Sequence, residues 1–457
     1  MKLPETNDTI AAQSTPPGAG ALAVIRISGP AAFAAASSFL SPVPRKPAHA
    51  AAKLLSIKDG GALVDRAVVV FYRGPASYTG DDTVEISCHG SPYIIRTILN
   101  LAVKSGARPA EPGEFTLRAF LNGKMDLAQA EAVGELIASG SAGAHRAALT
   151  QAEGGLSAEV RGIRTALVSL LAGIEARLDD SYGEIPALEM KGFARLAAAA
   201  RKKTLSLAAG FEAGRGIREG VKVVITGAPN SGKSSLLNAL LGYDRAMVSR
   251  RAGTTRDTLE AALDIDGFSV LFTDTAGLNA RAGSPLEREG IKRAQKAIGR
   301  ADAVVLVKDA SINETPGDRR AVKETARLAL KGSTLIRVLN KSDLPAKNGR
   351  PSAGCLKVSA KTGKGLPGLK AALVAEQKKV FRDGAQAVVT SARHFAALSA
   401  AAGELTSLEG VISKSPPPLE LAAEHLRGAL EALASLLGET TPEEVLASIF
   451  KNFCVGK

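Results

Sequence analysis

The residues of this chain whose types and spacing could do chemistry gather first in Gly227-Ala228-Pro229-Asn230-Ser231-Gly232-Lys233-Ser234, followed by Ser235. Glycines at this spacing let the backbone turn tightly and aim successive N–H groups at phosphate oxygens, Lys233 reaches the outer phosphates, and the Ser234 hydroxyl is placed for Mg²⁺. Asp274-Thr275-Ala276-Gly277 supplies a carboxylate for the metal shell and a glycine amide near a γ-phosphate. Asn340-Lys341-Ser342-Asp343 carries a carboxylate that can accept from N1–H and the 2-amino group of guanine together; adenine offers no such donor pair and would leave the charge unpaired. Ser359-Ala360-Lys361 fits a final guanine-contacting loop. The chemistry these residues imply is binding and hydrolysis of GTP.

Strands and helices must hold such loops. Val221–Leu241 reads as an apolar strand, the phosphate loop, then an apolar helix; Phe268–Phe272, Thr334–Leu339 and Leu356–Val358 are strand-type runs immediately before the other three loops. Four loops in this order predict a Ras-like α/β P-loop G domain. Leu278 follows Gly277 where Ras-type enzymes carry the glutamine that orients the attacking water, and an aliphatic side chain cannot do so. Transition-state charge must then be met by another group. Asn230 and the segment Ser249-Arg250-Arg251-Ala252-Gly253-Thr254-Thr255 are candidates to hold a monovalent cation where an arginine finger would otherwise sit.

The 457 residues suffice for two to four domains, and 45% hydrophobic with 23% charged residues is the composition of a globular chain. A formal charge of +13 suggests a polyanionic partner such as RNA, met through phosphates since Trp is absent and aromatics amount to 4%. Cys88, Cys355 and Cys454 show no paired metal-ligand spacing and no disulfide framework, which fits a reducing cytoplasm. The N-terminus lacks a leader pattern and no apolar run reaches membrane-spanning length, so a cytoplasmic protein without a membrane is expected.

Along the chain, residues 1–122 alternate short strands (Ala21–Ile27, Ala67–Phe71, Thr83–Ser87) with helical pieces (Ala31–Leu40, Pro92–Val103), the pattern of an α/β or α+β domain. Cys88-His89 invites a nucleophile reading; with no acid evident nearby, a buried cysteine and a hydrogen-bonded histidine are expected instead. Residues 123–218 read as helical, in segments Asp126–Gly140, Ala144–Asp180 and Pro186–Ala209, stopping at a Gly214-Arg215-Gly216 link. The G domain spans 219–380, closed by a helix over Leu366–Lys379. Helical patterning resumes over 381–457 at Ser391–Leu408, Pro418–Leu437 and Pro442–Phe450. Two helical stretches that flank a G domain are read as one helical domain with the G domain inserted; two separate helical domains are the alternative.

Taken in order, DTIAAQSTPPGAG, VIRISGP, YTGDDTVEISCHG, EPGEFTLRAFLNGKMDLAQAEAV, the G motifs and the terminal FCVGK resemble the MnmE (TrmE) family of tRNA modification GTPases over nearly the whole chain. The resemblance implies a homodimer through the N-terminal domain and a site there for a reduced one-carbon folate of the 5-formyl- or methylene-tetrahydrofolate type. It implies an FAD-dependent partner, MnmG (GidA), which carries the FAD and forms a heterotetramer, and an aminomethyl-type product at C5 of the wobble uridine (position 34) of certain tRNAs. It implies G domains that pair when GTP and K⁺ are bound. Carried over by position, the K⁺ ligands fall on Asn230, Ser249, Arg251 and Thr254, and Mg²⁺ on Ser234 and Thr255. The catalytic glutamate matches Glu287, with Glu289 the fallback because one extra residue precedes the motif. Folate contacts match Arg26, Glu85, Lys124 and Lys457, with Cys454 beside them. Ser249 stands for a more usual threonine, Ala19 and Glu111 where relatives often carry arginine, and Ser91 for a frequent glycine. The competing class is a GTP-driven RNA or ribosome assembly switch without modification chemistry, which would have no use for a one-carbon site.

Overall fold

The computed structural model describes residues 6–43, 46–178, 189–242, 260–273, 296–328, 333–345, 354–382 and 387–457. They pack as two compact units: one from residues 1–134, 152–198 and 403–457, the other from 135–151 and 199–402.

The first unit contains a seven-stranded sheet of β1 (Ile10–Gln13), β2 (Leu22–Ser28), β3 (Leu40–Ser41), β4 (Ala52–Asp59), β5 (Ala62–Tyr72), β6 (Thr83–His89) and β7 (Arg108–Pro109), in the order β3-β4-β5-β6-β2-β1-β7. Strict alternation sorts its side chains: Ile25 and Ile27, Ala67, Val69 and Phe71, and Val84, Ile86 and Cys88 are buried under helix Pro92–Lys104, which contributes Ile95, Ile98 and Leu101. The opposite face keeps Leu54 and Val68 exposed as a cross-strand pair, with Leu22 further along. The expected strand Ala67–Phe71 is the latter part of β5, but β4 was not among the expected strands, although Gly60-Gly61, at φ +56° and +93°, supplies the left-handed turn that joins the two alternating runs.

Helices complete this unit. Gly155–Leu178 buries Leu156, Val160, Ile163, Leu167, Leu170 and Ile174 at steps of three and four, and Leu419–Leu437 answers with Ala422, Leu426, Ala429, Leu433 and Leu437. The helical segment expected over Ala144–Asp180 comprises two helices, Ala142–Ala152 and Gly155–Leu178, separated at Gly154 with φ +88°; its last two residues lie outside the described residues.

The second unit holds a six-stranded sheet: β8 (Val221–Thr226), β9 (Glu260–Ile265), β10 (Phe268–Thr273), β11 (Ala303–Asp309), β12 (Thr334–Asn340) and β13 (Cys355–Lys357), ordered β13-β12-β11-β8-β10-β9. Every pairing is parallel except β9 with β10, the Ras-like arrangement. Its central strands are near-continuous apolar runs because helices cover both faces. Two expectations are corrected here. The closing helix divides into Leu366–Leu373 and Ala375–Arg382. Gly214-Arg215-Gly216 is no link but lies inside helix Phe211–Glu219, where a Cβ on Gly214 would come within 2.1 Å of the Val389 carbonyl oxygen and one on Gly216 within 2.9 Å of the Gln377 amide. Those glycines serve close packing.

Among the described residues one helix, Ala392–Ile412, is long and apolar enough to cross a membrane by length and composition. It is interrupted by Arg393, Glu404 and Glu409, and it buries Leu398, Ala401, Ala402, Leu405 and Leu408 within the protein.

Candidate functional site

Three parallel strands of the second unit end side by side. The phosphate loop leaves β8 after Thr226, β11 ends on Asp309 and β12 on Asn340, so the carboxyl edge of the sheet gathers the loops, where ligands of open α/β sheets bind. The turn from β8 into helix Lys233–Gly242 needs backbone that only glycine tolerates. A Cβ on Gly227 (φ +149°) would meet the Val307 carbonyl oxygen at 2.1 Å, and one on Gly232 (φ +89°) the Asn340 amide at 2.3 Å. Asn230 also takes a left-handed φ of +61°.

The Asn340–Asp343 loop grips this turn from the side. Asn340, buried, donates through Nδ2 to Ser231 O at 3.1 Å and accepts the Ala360 N–H on Oδ1 at 3.1 Å. Lys341, left-handed at φ +61°, donates through Nζ to Asn230 O at 3.0 Å. The Asp343 carboxylate is exposed and accepts from the Ser359 hydroxyl at 2.7 Å, and that hydrogen bond holds its carboxyl below the ordinary range. Lys361 lowers it further by its charge. Lys233 Nζ lies at the mouth of the loop, 3.0 Å from Gly227 O and 2.9 Å from Ala228 O, and burial holds its ammonium below the usual lysine range. Ser234 and Ser235 stand exposed in the first turn of the helix, while the Ser231 hydroxyl is buried without a protein partner.

The structure thus brings together Gly227, Asn230, Ser231, Gly232, Lys233, Ser234, Ser235, Asn340, Lys341, Asp343, Ser359, Ala360 and Lys361. Ser249, Arg250, Arg251, Ala252, Gly253, Thr254, Thr255, Asp274, Thr275, Ala276, Gly277, Leu278, Glu287 and Glu289 lie outside the described residues. Of the expected metal ligands, Ser234 and Asn230 alone are described. Both offer an oxygen suited to a hard cation. No cluster of three His, Cys, Asp or Glu residues suited to a metal occurs among the described residues.

A second constellation forms in the first unit. The β2–β6 register places Arg26 opposite Glu85, and Arg26 donates through Nε at 2.9 Å and Nη2 at 2.7 Å to Glu85 Oε1. The guanidinium lies 5.2 Å from the Tyr78 ring centroid and 5.5 Å from that of Phe115. Its Nη1 is buried and has no protein partner.

The C-terminus reaches the same place. Val455 bridges to Pro112, Gly113 N donates to Cys454 O at 3.3 Å, and the Ser14 hydroxyl donates to Gly456 O at 3.0 Å. Gly456 has φ +92°, and a Cβ there would sit 2.2 Å from Gln13 O. Phe453 packs on Phe450, with ring centroids 5.4 Å apart. Burial holds the Lys457 ammonium below the usual lysine range, the Arg26 charge adds to this and Glu85 opposes it. Arg26, Glu85 and Lys457 therefore share one field, whereas Lys124 is apart from them in its contacts, donating to Pro75 O at 2.8 Å. Cys454 is exposed.

Cys88 and His89 are neighbours in sequence but point to opposite faces of β6. Burial, with the Asp65 charge, pushes the Cys88 thiol up to about 11. The acid that was not evident in the sequence is Asp65, which accepts from the His89 backbone at 2.9 Å and lies 2.8 Å from its Nδ1. Asp309 is another residue that sequence reasoning passed over, and only its position at the end of an apolar strand marked it.

Two family models match the chain: one described as "MnmE helical domain" over residues 127–454 and one described as "GTP-binding protein TrmE N-terminus" over residues 9–124. Proteins named "tRNA modification GTPase MnmE" are similar over almost the full length. That of Akkermansia muciniphila is 41% identical over 459 residues, covering 98% of this chain and 99% of its own. That of Thermotoga maritima is 38% identical over 462 residues, covering 98% and 100%. That of Cytophaga hutchinsonii is 37% identical over 461 residues, covering 98% of each.

Proposed function

The chain belongs to the MnmE family of tRNA modification GTPases, and on that premise we propose that it is a K⁺-activated GTP hydrolase whose turnover drives modification of the wobble uridine of certain tRNAs. It acts as a homodimer with an FAD-dependent MnmG-type partner and uses a reduced one-carbon folate to install an aminomethyl-type group at C5. The organisation proposed is an N-terminal folate and dimer domain (1–122), a helical domain (123–218 and 381–457) and an inserted G domain (219–380). The exposed apolar side chains of Leu22, Leu54 and Val68 on one open sheet face support a dimer through the N-terminal domain.

The observation that carries the modification reading over a pure GTP switch is the Arg26–Glu85 pair with Lys457 in the same electrostatic field. A carboxylate beside cations, with an unpartnered buried guanidinium N–H, suits the donor and acceptor edge of a pterin. When bound, the folate would supply the one-carbon unit. Arg26 orients its edge, the Phe453 anchor and Gly456 hold the tail against Gln13, and Lys457 brings an ammonium into the field of Arg26 and Glu85. Deleting Val455–Lys457 is expected to weaken reduced-folate binding at least about tenfold, about 1.4 kcal/mol, the scale of one charge-assisted contact. GTP turnover should be spared. Calorimetry on the truncated protein checks this, and unaltered folate affinity would remove the tail from the site. Cys454 is assigned a shaping role since no base is evident beside it, so Cys454→Ser should both bind folate and modify tRNA.

In the G domain, Mg²⁺ is assigned to Ser234 and Thr255, and K⁺ to Asn230, Ser249, Arg251 and Thr254. Bound there, K⁺ would supply positive charge near the transferring phosphoryl group. Asn230 is held left-handed within the phosphate loop, which supports its assignment. Hydrolysis is expected to be slow in NaCl and much faster in KCl, and Asn230→Ala should abolish the difference; equal rates for the unmodified protein in the two salts would mean that the charge is met elsewhere. The reading as a whole is tested by assaying wobble-uridine modification in cells that lack this protein.

A further inference from the structure

Asp309 has no place in the nucleotide machinery described so far, yet it sits against it. It is the last residue of β11, next to Asn340 of β12 in the parallel register, and is 7% exposed. Its two carboxylate oxygens do different things. Oδ1 accepts from the Ser311 backbone N–H at 2.8 Å and from the Ser311 hydroxyl at 2.6 Å, which fixes the plane of the group. Oδ2 is thereby aimed at Lys341 Nζ, 2.5 Å away. The same ammonium donates to Asn230 O in the phosphate loop.

The contact matters because both ends of this relay are in left-handed backbone, Lys341 at φ +61° and Asn230 at φ +61°. Such a conformation is uncommon at residues other than glycine, least so at asparagine, and at a lysine it persists when its surroundings hold it. Asn340 ties the loops at Ser231 O and Gly232 O, and Lys341 at Asn230 O. A lysine has three rotatable donors on a flexible four-carbon stem, so it does not choose that carbonyl by itself.

We propose that Asp309 is a positioning residue which, through Lys341, locks the guanine-recognition loop to the phosphate loop at Asn230, so that the base edge read by Asp343 and the backbone at Asn230 are set together. The part of this that concerns Asn230 as a cation ligand rests on the potassium reading above. The nucleotide-affinity part does not.

An asparagine at 309 has almost the volume of the aspartate but a single acceptor oxygen, which cannot serve Ser311 and Lys341 at once. Asp309→Asn therefore keeps the packing and removes the lock. GDP and GTP dissociation constants, measured by fluorescence titration with labelled nucleotides on the full chain, are expected to rise about tenfold in Asp309→Asn and in Lys341→Met. The double variant should be no more than about twofold worse than the weaker single one, because residues acting as one unit are not additive. The K⁺ concentration for half-maximal GTP hydrolysis should rise severalfold in Asp309→Asn, a readout that a merely structural role would not move. Thermal melting of each variant separates loss of fold from loss of the lock. Losses that multiply in the double variant, or an Asp309→Asn protein with normal nucleotide affinity whatever its melting temperature, would overturn the proposal. An unmodified protein indifferent to K⁺ would sink the potassium reading and its cation arm and leave the affinity test standing.

Discussion

Replacing Asp343 with asparagine is expected to weaken GTP binding roughly a hundredfold or more, because a site built to pair with two donors of the base loses its charge and turns an N–H toward another donor. The carboxylate stands exposed at the end of its loop, and Ser359 holds one of its oxygens at 2.7 Å, so it is already oriented when the base arrives and covers it. Xanthine presents a carbonyl where guanine has its amino group, and the asparagine amide can donate to it. The variant should therefore prefer xanthosine triphosphate over GTP. Competition titration with the two nucleotides checks this; an Asp343→Asn protein with unchanged GTP affinity would remove this loop from base recognition. Asp343 contributes nothing evident to a packed core, so folding should be unaffected and the readout clean.

The other large effect is expected at Glu287. Leu278 stands where a water-orienting glutamine would be, so the attacking water must be positioned by a different acceptor, and Glu287 is the residue proposed for it from the resemblance to the family. Glu287→Ala should lower the single-turnover hydrolysis rate by roughly two to four orders of magnitude while leaving nucleotide affinity nearly unchanged, since the group acts on the water and not on the ground-state phosphates. Single-turnover kinetics beside nucleotide titration tests both halves. Loss of binding together with rate would show a ligand role instead. A Glu287→Ala enzyme of full activity would transfer the role to Glu289, where the same kinetics should then show the loss, and would place the extra residue of that segment before the motif differently.

The two sites differ in how far they could be read. The nucleotide loops were legible because each is a strand end, a short turn of particular residue types and, for the phosphate loop, a helix start: the chemistry lies within eight residues and its backbone geometry is written by local glycines. In the N-terminal domain the residues were reached through resemblance alone, since Arg26 and Glu85 are far apart in sequence and become a pair only through the β2–β6 register.

Several local readings also failed for want of a neighbour. Gly214 and Gly216 look like a link in the sequence, but it is the approach of Val389 and Gln377 that makes them helical packing glycines. The expected buried Cys88 and hydrogen-bonded His89 are both found, but the acid that His89 seemed to lack is Asp65, which β5 brings beside it. The β4–β5 hairpin, by contrast, carried its own signal in Gly60-Gly61.

By itself the sequence determined the nucleotide, the Ras-like G domain and the family, because a P-loop, a guanine-reading aspartate and a run of specific motifs are properties of short stretches and their order. Tertiary structure alone decided what those stretches are held against. Parallel pairing of β11 with β12 puts Asp309 beside Lys341, and the β-bridge from Val455 to Pro112 fastens the Cys454–Lys457 segment beside Gly113. The physical reason is range: turn and helix chemistry act over a few residues of backbone, whereas a charge finds its partner only after strand register has placed two distant segments within one hydrogen bond of each other.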